Sequence, residues 1–157
     1  MIRILAVGKN KDSSLRQLEK EYIKRVSPFT KIELLELKDE ANIHIDRDSE
    51  IEKVKEKEGN RVLEKIGPQD FVILLDLHGK MMDSETFATA LNTWESLHSR
   101  LVFVIAGSLG PSPALIRASH VRWKLSDLTF THLMTRILVL EQIYRGKMII
   151  NHRPYHK

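Results

Sequence analysis

Four apolar, β-branched runs recur along the chain: IRILAV (2–7), KIELLEL (31–37), FVILLDL (71–77) and LVFVIAG (101–107). Stretches of helical character separate them. FVILLDL and LVFVIAG are apolar at both alternating positions, so both faces of these strands must be covered. Parallel strands have this property, because their crossover helices pack on either side of the sheet. The pattern predicts an α/β fold with a mostly parallel sheet and helices on both faces. A fifth, short strand is expected at VRWKL (121–125), ahead of a last helix over 131–149. At 157 residues, the chain fits a single domain, 1–157, around one core.

The intervening helices announce their ends. Residues 13–26 begin at Ser13 and Ser14, both good caps, and the pattern breaks near Pro28. Residues 48–65 predict a charged amphipathic helix with Ile51, Val54 and Val62 inward and Gly59 as a weak point. Asp83 is the expected N-cap of a helix over 83–98, with Glu85 in its first turn. Residues 38–48 read as one exposed loop. In the last helix, Leu133, Ile137, Leu140, Tyr144 and Met148 form a stripe that Met134 and Leu138 widen. That is more apolar face than one flank of a small sheet requires, and it predicts a homodimer.

Composition excludes several chemistries. There is no cysteine, which removes disulfides, thiolate zinc sites and cysteine nucleophiles. Met1 leads straight into IRILAV, so a strand is expected there, not a secretory leader. No apolar run approaches the roughly 20 residues of a membrane span, and a cytoplasmic protein is expected. The net charge of +4 tilts mildly towards polyanions, without a Lys/Arg block. His44, Asp46 and Asp48 alternate in HIDRD, but no second ligand cluster accompanies them, so no metal is expected. No G-x-S-x-G elbow appears.

In parallel sheets ligands bind outside the carboxyl ends of the strands, which points to Asp76–Gly79 and Gly107–Gly110. The loop AGSLG lacks the Lys-Ser/Thr ending of a P-loop and the spacing of the dinucleotide fingerprint. It reads either as a tight strand-to-helix turn or as a backbone-lined pocket for a nucleotide-like cofactor. His132 is expected to be a structural hydrogen-bonder, and Glu141 and Arg145 an i,i+4 pair. The chain ends in NHRPYHK, where Pro154 keeps His152 and His156 from sharing a helical face.

Taken together, LAVGK, KEKEG, LDLHGK, FVIAGSLG, LSDLTFTH, R-x-x-x-x-EQIYR and the final PYHK run the whole length of the chain. In order and spacing they resemble the ribosomal large-subunit pseudouridine methyltransferase H family, a branch of the SPOUT methyltransferases. The resemblance implies an α/β fold with a C-terminal trefoil knot, a homodimer, and S-adenosylmethionine as cofactor. It implies methylation at N3 of a pseudouridine in 23S rRNA of the assembled ribosome. By position, the cofactor would lie against Leu75, Ala106, Gly107, Leu125, Ser126, Asp127, Leu128, Thr129 and Phe130. The chain departs from the family in having Ala106 for a glycine, Thr131 for a proline and Gly146 for an alanine.

Methyl transfer to a protonated ring nitrogen needs positioning together with a base or a charge that stabilises the anion. With the resemblance, the tail supplies candidates: His156 to accept the proton, Tyr155 to stack on or hydrogen-bond the base, and Arg153 to stabilise the anion or hold phosphate. Lys157 is expected at the RNA and Arg136 at the RNA or the cofactor, and a partner's tail can complete the site. Two alternatives stay open on the residues alone: a related methyltransferase acting on another RNA, and an RNA-binding module without activity.

Overall fold

The computed structural model describes residues 1–40 and 47–157. Five strands, β1 (Ile2–Val7), β2 (Ile32–Leu37), β3 (Phe71–Lys80), β4 (Leu101–Ile105) and β5 (Val121–Trp123), form one sheet in the order β2-β1-β4-β3-β5. Every pairing is parallel. Helices α1 (Ser13–Val26), α2 (Asp48–Leu63), α3 (Ser84–Leu97), α4 (Pro113–Ala118) and α5 (His132–Ile150) connect the strands or follow the last one. His44 and Asp46 of HIDRD lie outside the described residues, and Asp48 opens α2.

Alternation along the strands makes two cores. Ile2, Ile4, Ala6, Ile73, Phe103 and Trp123 face α1, α3 and α5, together with Val26, Phe87, Leu91, Val139 and Leu140. Leu5, Val7, Val72, Leu74, Val102 and Val104 face the other way, onto Val62 of α2 and Leu115 of α4. The sheet is thus covered on both faces, as its doubly apolar strands require. The caps behave as local chemistry dictates: the side chains of Asp12, Asp83 and Ser112 accept from Leu15, Thr86 and Leu115 amides at 2.9, 2.7 and 3.1 Å.

Three expectations change. Gly59 is a point of close approach between α2 and α4, where a Cβ would collide with Ser112 Oγ. β3 runs on to Lys80, because a register shift lets Lys80 pair with Trp123 after the Leu75–Trp123 pairing. Gly79 sits in this irregular stretch, and a Cβ there would strike the Arg122 carbonyl. Finally, Ile137 and Leu140, from the stripe read as a dimer face, are buried by the chain itself. The reason is that α5 packs against both α1 and α3, not only on the sheet.

Candidate active site

Beyond the carboxyl ends of β3, β4 and β5 lies a cavity of about 380 Å³. Its wall takes Leu75–His78 from β3, Ile105 to Pro111 from β4 and the loop after it, and Trp123, Leu125, Ser126 and Leu128–Phe130 from β5 and beyond. His132 and Thr135 of α5, Lys55 of α2 and Ile116 of α4 complete it. The cofactor residues expected from sequence therefore converge, with one exception. Asp127 is absent from the wall; its carboxylate is exposed and pairs with Lys124 Nζ at 2.5 Å.

Short-range chemistry shapes these loops. The Gly110 amide donates to the Gly107 carbonyl at 3.0 Å, and Gly110 holds φ +89, which an L side chain resists. Ser126 Oγ accepts from the Leu128 amide at 3.0 Å. Thr131, where a proline is expected in the family, caps α5 by accepting from the Met134 amide at 3.3 Å. Beneath the turn lies the buried carboxylate of Glu58, whose Oε2 accepts from the Glu40 amide at 3.0 Å. Burial pushes the Glu58 carboxyl up, partly offset by that amide.

A second cavity, of about 500 Å³, shares Trp123, Leu125, Ser126 and Phe130 with the first. Its far side is formed by Met82–Glu85, Leu138, Gln142 and His156. Trp123 is 2 % exposed, and its indole N–H finds no acceptor among the described residues. A buried donor left so costs about 1–3 kcal/mol.

The tail reaches this cavity by a local device. The His152 amide donates to the Ile149 carbonyl and the Arg153 amide to that of Met148, with His152 at φ 53. This is a Schellman ending with histidine in the place glycine usually takes, and it turns the chain back along α5. Tyr155 then donates to Glu141 Oε1 at 3.0 Å, packs edge-on against Tyr144 and lies under Arg145. Burial, followed by the Glu141 carboxylate, pushes the phenol up to about 12. Tyr155 thus anchors the tail to α5 in this structure.

His156 Nδ1 lies 3.2 Å from Arg145 Nη1, and Nε2 lies 3.7 Å from Glu85 Oε1. A guanidinium has no lone pair to offer, so Nδ1 accepts and Nε2 carries the proton. Arg153 and Lys157 are exposed, with the Arg153 guanidinium 5.9 Å from the Phe29 ring centre.

Arg136 departs furthest from expectation. It is fully buried, with Nη1 on Glu36 Oε2 at 2.7 Å and Nη2 on the Gly8 carbonyl at 2.6 Å. Glu19 is 3.8 Å away and is held in turn by Asn10 Nδ2 at 2.9 Å. Arg136 is therefore a brace between α5, β1, β2 and α1, not an RNA contact. Its charge also bears on His132, whose imidazole is pushed down by burial first and by Arg136 second. His132, expected as a structural hydrogen-bonder, lies on the cavity wall, and Trp123 beside both cavities escaped sequence reading; the signal was its place next to the strand-end loops.

A family model described as "Predicted SPOUT methyltransferase" matches residues 1–156. The chain belongs to the SPOUT methyltransferase family. The fold is also similar to that of a probable methylase family protein from Haemophilus influenzae Rd KW20, with a TM-score of 0.58 at 12% identity. That match covers 96% of this chain and 66% of the other, so this SPOUT chain spans less than two thirds of that protein's length. At such identity the likeness speaks for the fold alone.

SPOUT methyltransferases generally use S-adenosylmethionine, and the first cavity suits it. The lining is mainly apolar, the volume lies in the range of small-ligand sites, and Gly107 lies on the wall, packed closely on Glu58 and Val7. A Cβ on Gly107 would lie 2.7 Å from Glu58 Oε1 and 3.3 Å from Val7 Cγ1. Gly107→Val should therefore displace the loop and abolish cofactor binding, read by calorimetry, with the far-ultraviolet circular dichroism unchanged. Retained wild-type affinity would remove this loop from the site.

Proposed function

We propose that this SPOUT methyltransferase acts on RNA, methylating N3 of a pseudouridine in 23S rRNA of the assembled ribosome, in the cytoplasm. One observation carries the reading: the strand-end cavity adjoins a second cavity that holds His156, across the shared wall of Trp123, Leu125, Ser126 and Phe130. A cofactor and a nucleobase can thus meet at one wall. The motifs from LAVGK to PYHK support the choice of substrate.

Leu75, Ala106–Gly107, Leu125 and Phe130 would hold S-adenosylmethionine, which when bound supplies a methyl group on a cationic sulfur. The rest falls to the chain's own residues. His156 takes the N3 proton at Nδ1, so its contact with Arg145 Nη1 has to open first. Arg145 can release it without losing its own anchor, since Nε and Nη2 stay on Glu141 Oε1 at 3.1 and 2.7 Å. Arg153 and Lys157, both exposed, hold phosphate.

We further propose a C-terminal knot and a homodimer. β4 connects to β5 across β3 in the sheet, a crossing a threaded chain needs. Leu128, Phe130 and Met134 are 70, 37 and 40 % exposed beside the site and offer a partner an apolar face.

The test is to supply labelled S-adenosylmethionine together with ribosomes, free rRNA or tRNA. Label entering 23S rRNA of ribosomes at a pseudouridine is expected. Label in tRNA alone would favour a related activity, and cofactor binding without transfer to any RNA would sink the proposal.

A further inference from the structure

We infer that the face where the end of α1 meets the C-terminal tail is a docking track for single-stranded RNA, along which the nucleotides flanking the target base run towards His156. The inference takes its partner, RNA, from the methyltransferase reading above and rests on it. All three tyrosines of the chain lie on this face. So does every cation placed over an aromatic ring among the described residues. Tyr22 of α1 lies 6.4 Å from Tyr144 of α5, and Tyr144 lies 4.8 Å from Tyr155 of the tail. The Arg25 guanidinium sits 5.5 and 5.8 Å from the centres of the first two rings, and that of Arg145 sits 4.7 Å from the third. Arg153 extends the row to Phe29, just past the end of α1. At its other end, Tyr155 is followed directly by His156 on the wall of the second cavity.

Helix chemistry explains part of this arrangement. Lys24 and Arg25 stand in the last turn of α1, where the helix favours cations. It does not call for a ring beneath the guanidinium. The four rings are half-buried, whereas Lys24, Arg25, Arg153 and Lys157 are exposed, so positive charge is what the face presents. Glu141 is already taken by Arg145 and Tyr155. Glu21 occupies only Arg25 Nε, at 3.0 Å, and both Nη groups of Arg25 stay without a hydrogen bond among the described residues. The Arg153 guanidinium makes none among them either. A planar guanidinium resting on a ring has little freedom left to lose when it takes a phosphate. These free donors suit a polyanion, not an apolar protein surface. Arginines interleaved with rings suit a single strand in particular, because unpaired bases stack on such groups whatever their sequence. A duplex keeps those base faces to itself.

The test compares wild type with Arg25→Gln and with Arg25→Gln/Arg153→Gln. The probes are a single-stranded oligoribonucleotide containing pseudouridine and a duplex of the same length. Both side chains are exposed, so the melting temperature should hold. Calorimetry should give wild-type affinity for S-adenosylmethionine, since neither residue borders the first cavity. The slope of log affinity for the single strand against log salt should shrink by about 0.7 for each guanidinium removed. Arg25→Lys keeps the charge and should restore most of the slope. Variants with the wild-type slope overturn the inference, as does a wild type that prefers the duplex. A dimer that the double variant turns into a monomer, read by sedimentation, would make the face a contact between copies of the chain and overturn it too. The functional reading fails separately: a wild type that methylates ribosomes while the variants keep the full slope loses the track alone. One that binds no strand and methylates no RNA loses both.

Discussion

His156→Ala should lower methyl transfer to ribosomes by about 10²–10⁴-fold, the range general-base catalysis supplies, while cofactor affinity stays within experimental error. The separation follows from geometry, since His156 borders the second cavity and is absent from the wall of the first. The pH–rate profile should lose the limb that a titrating base contributes. Removing Tyr155–Lys157 should have the same effect on rate with little loss of melting temperature. Those residues lie outside both core clusters, though Tyr155 gives up its hydrogen bond to Glu141. Single-turnover rates with saturating cofactor are the measurement. A truncated enzyme at wild-type rate would make the tail a bystander, and a small loss with an unaltered pH profile would leave His156 only a positioning role.

Arg136→Leu should destabilise the protein by about 3–5 kcal/mol, the usual result of removing one partner from a buried charge pair. That is a large part of the 5–15 kcal/mol typical of a folded domain. The substitution leaves the Gly8 carbonyl without its donor, the Glu36 carboxylate with the Asn10 amide alone, and Glu19 without its nearby cation. The wild-type pair also sets an acid limit. Burial raises the Glu36 carboxyl, but the Asn10 amide and Arg136 outweigh it and hold the group below the ordinary carboxylate range. A depressed folded value stabilises above the unfolded one, so the contribution is present above about pH 4.3. It is lost as pH falls through the lower, folded value. Urea unfolding at pH 7 and at pH 3 checks both claims. A stability gap between wild type and variant that is the same at both would rule out the Glu36 linkage.

Legibility in the sequence tracked how local each cause is. Strand runs such as LVFVIAG must be covered on both sides wherever they occur, so the parallel α/β class, the five strands and the cap at Asp83 could be read, whereas the cap expected at Ser13 or Ser14 is supplied by Asp12. The strand-end loops could be located for the same reason. The motif resemblance placed cofactor residues on them, and all but Asp127 lie on one cavity wall. Gly59 misled, because a helix-weakening residue and a helix-contact residue are the same letter until α4 is seen against it.

What a polar side chain does depends on partners that the chain brings from far away, and here the tertiary structure decided. Arg136 and Gly8 are 128 positions apart, so nothing near Arg136 in sequence says that its charge is spent inside the protein. Trp123 reads as one more strand residue until the packing of Phe87 and Phe103 leaves its N–H without an acceptor. The tail's composition announced proton chemistry, but only the left-handed turn at His152 and the grip of Glu141 on Tyr155 put His156 beside the second cavity. Periodicity and capping act within a few residues and are written in order along the chain. Burial, charge pairing and the joining of two cavities are properties of the packed whole.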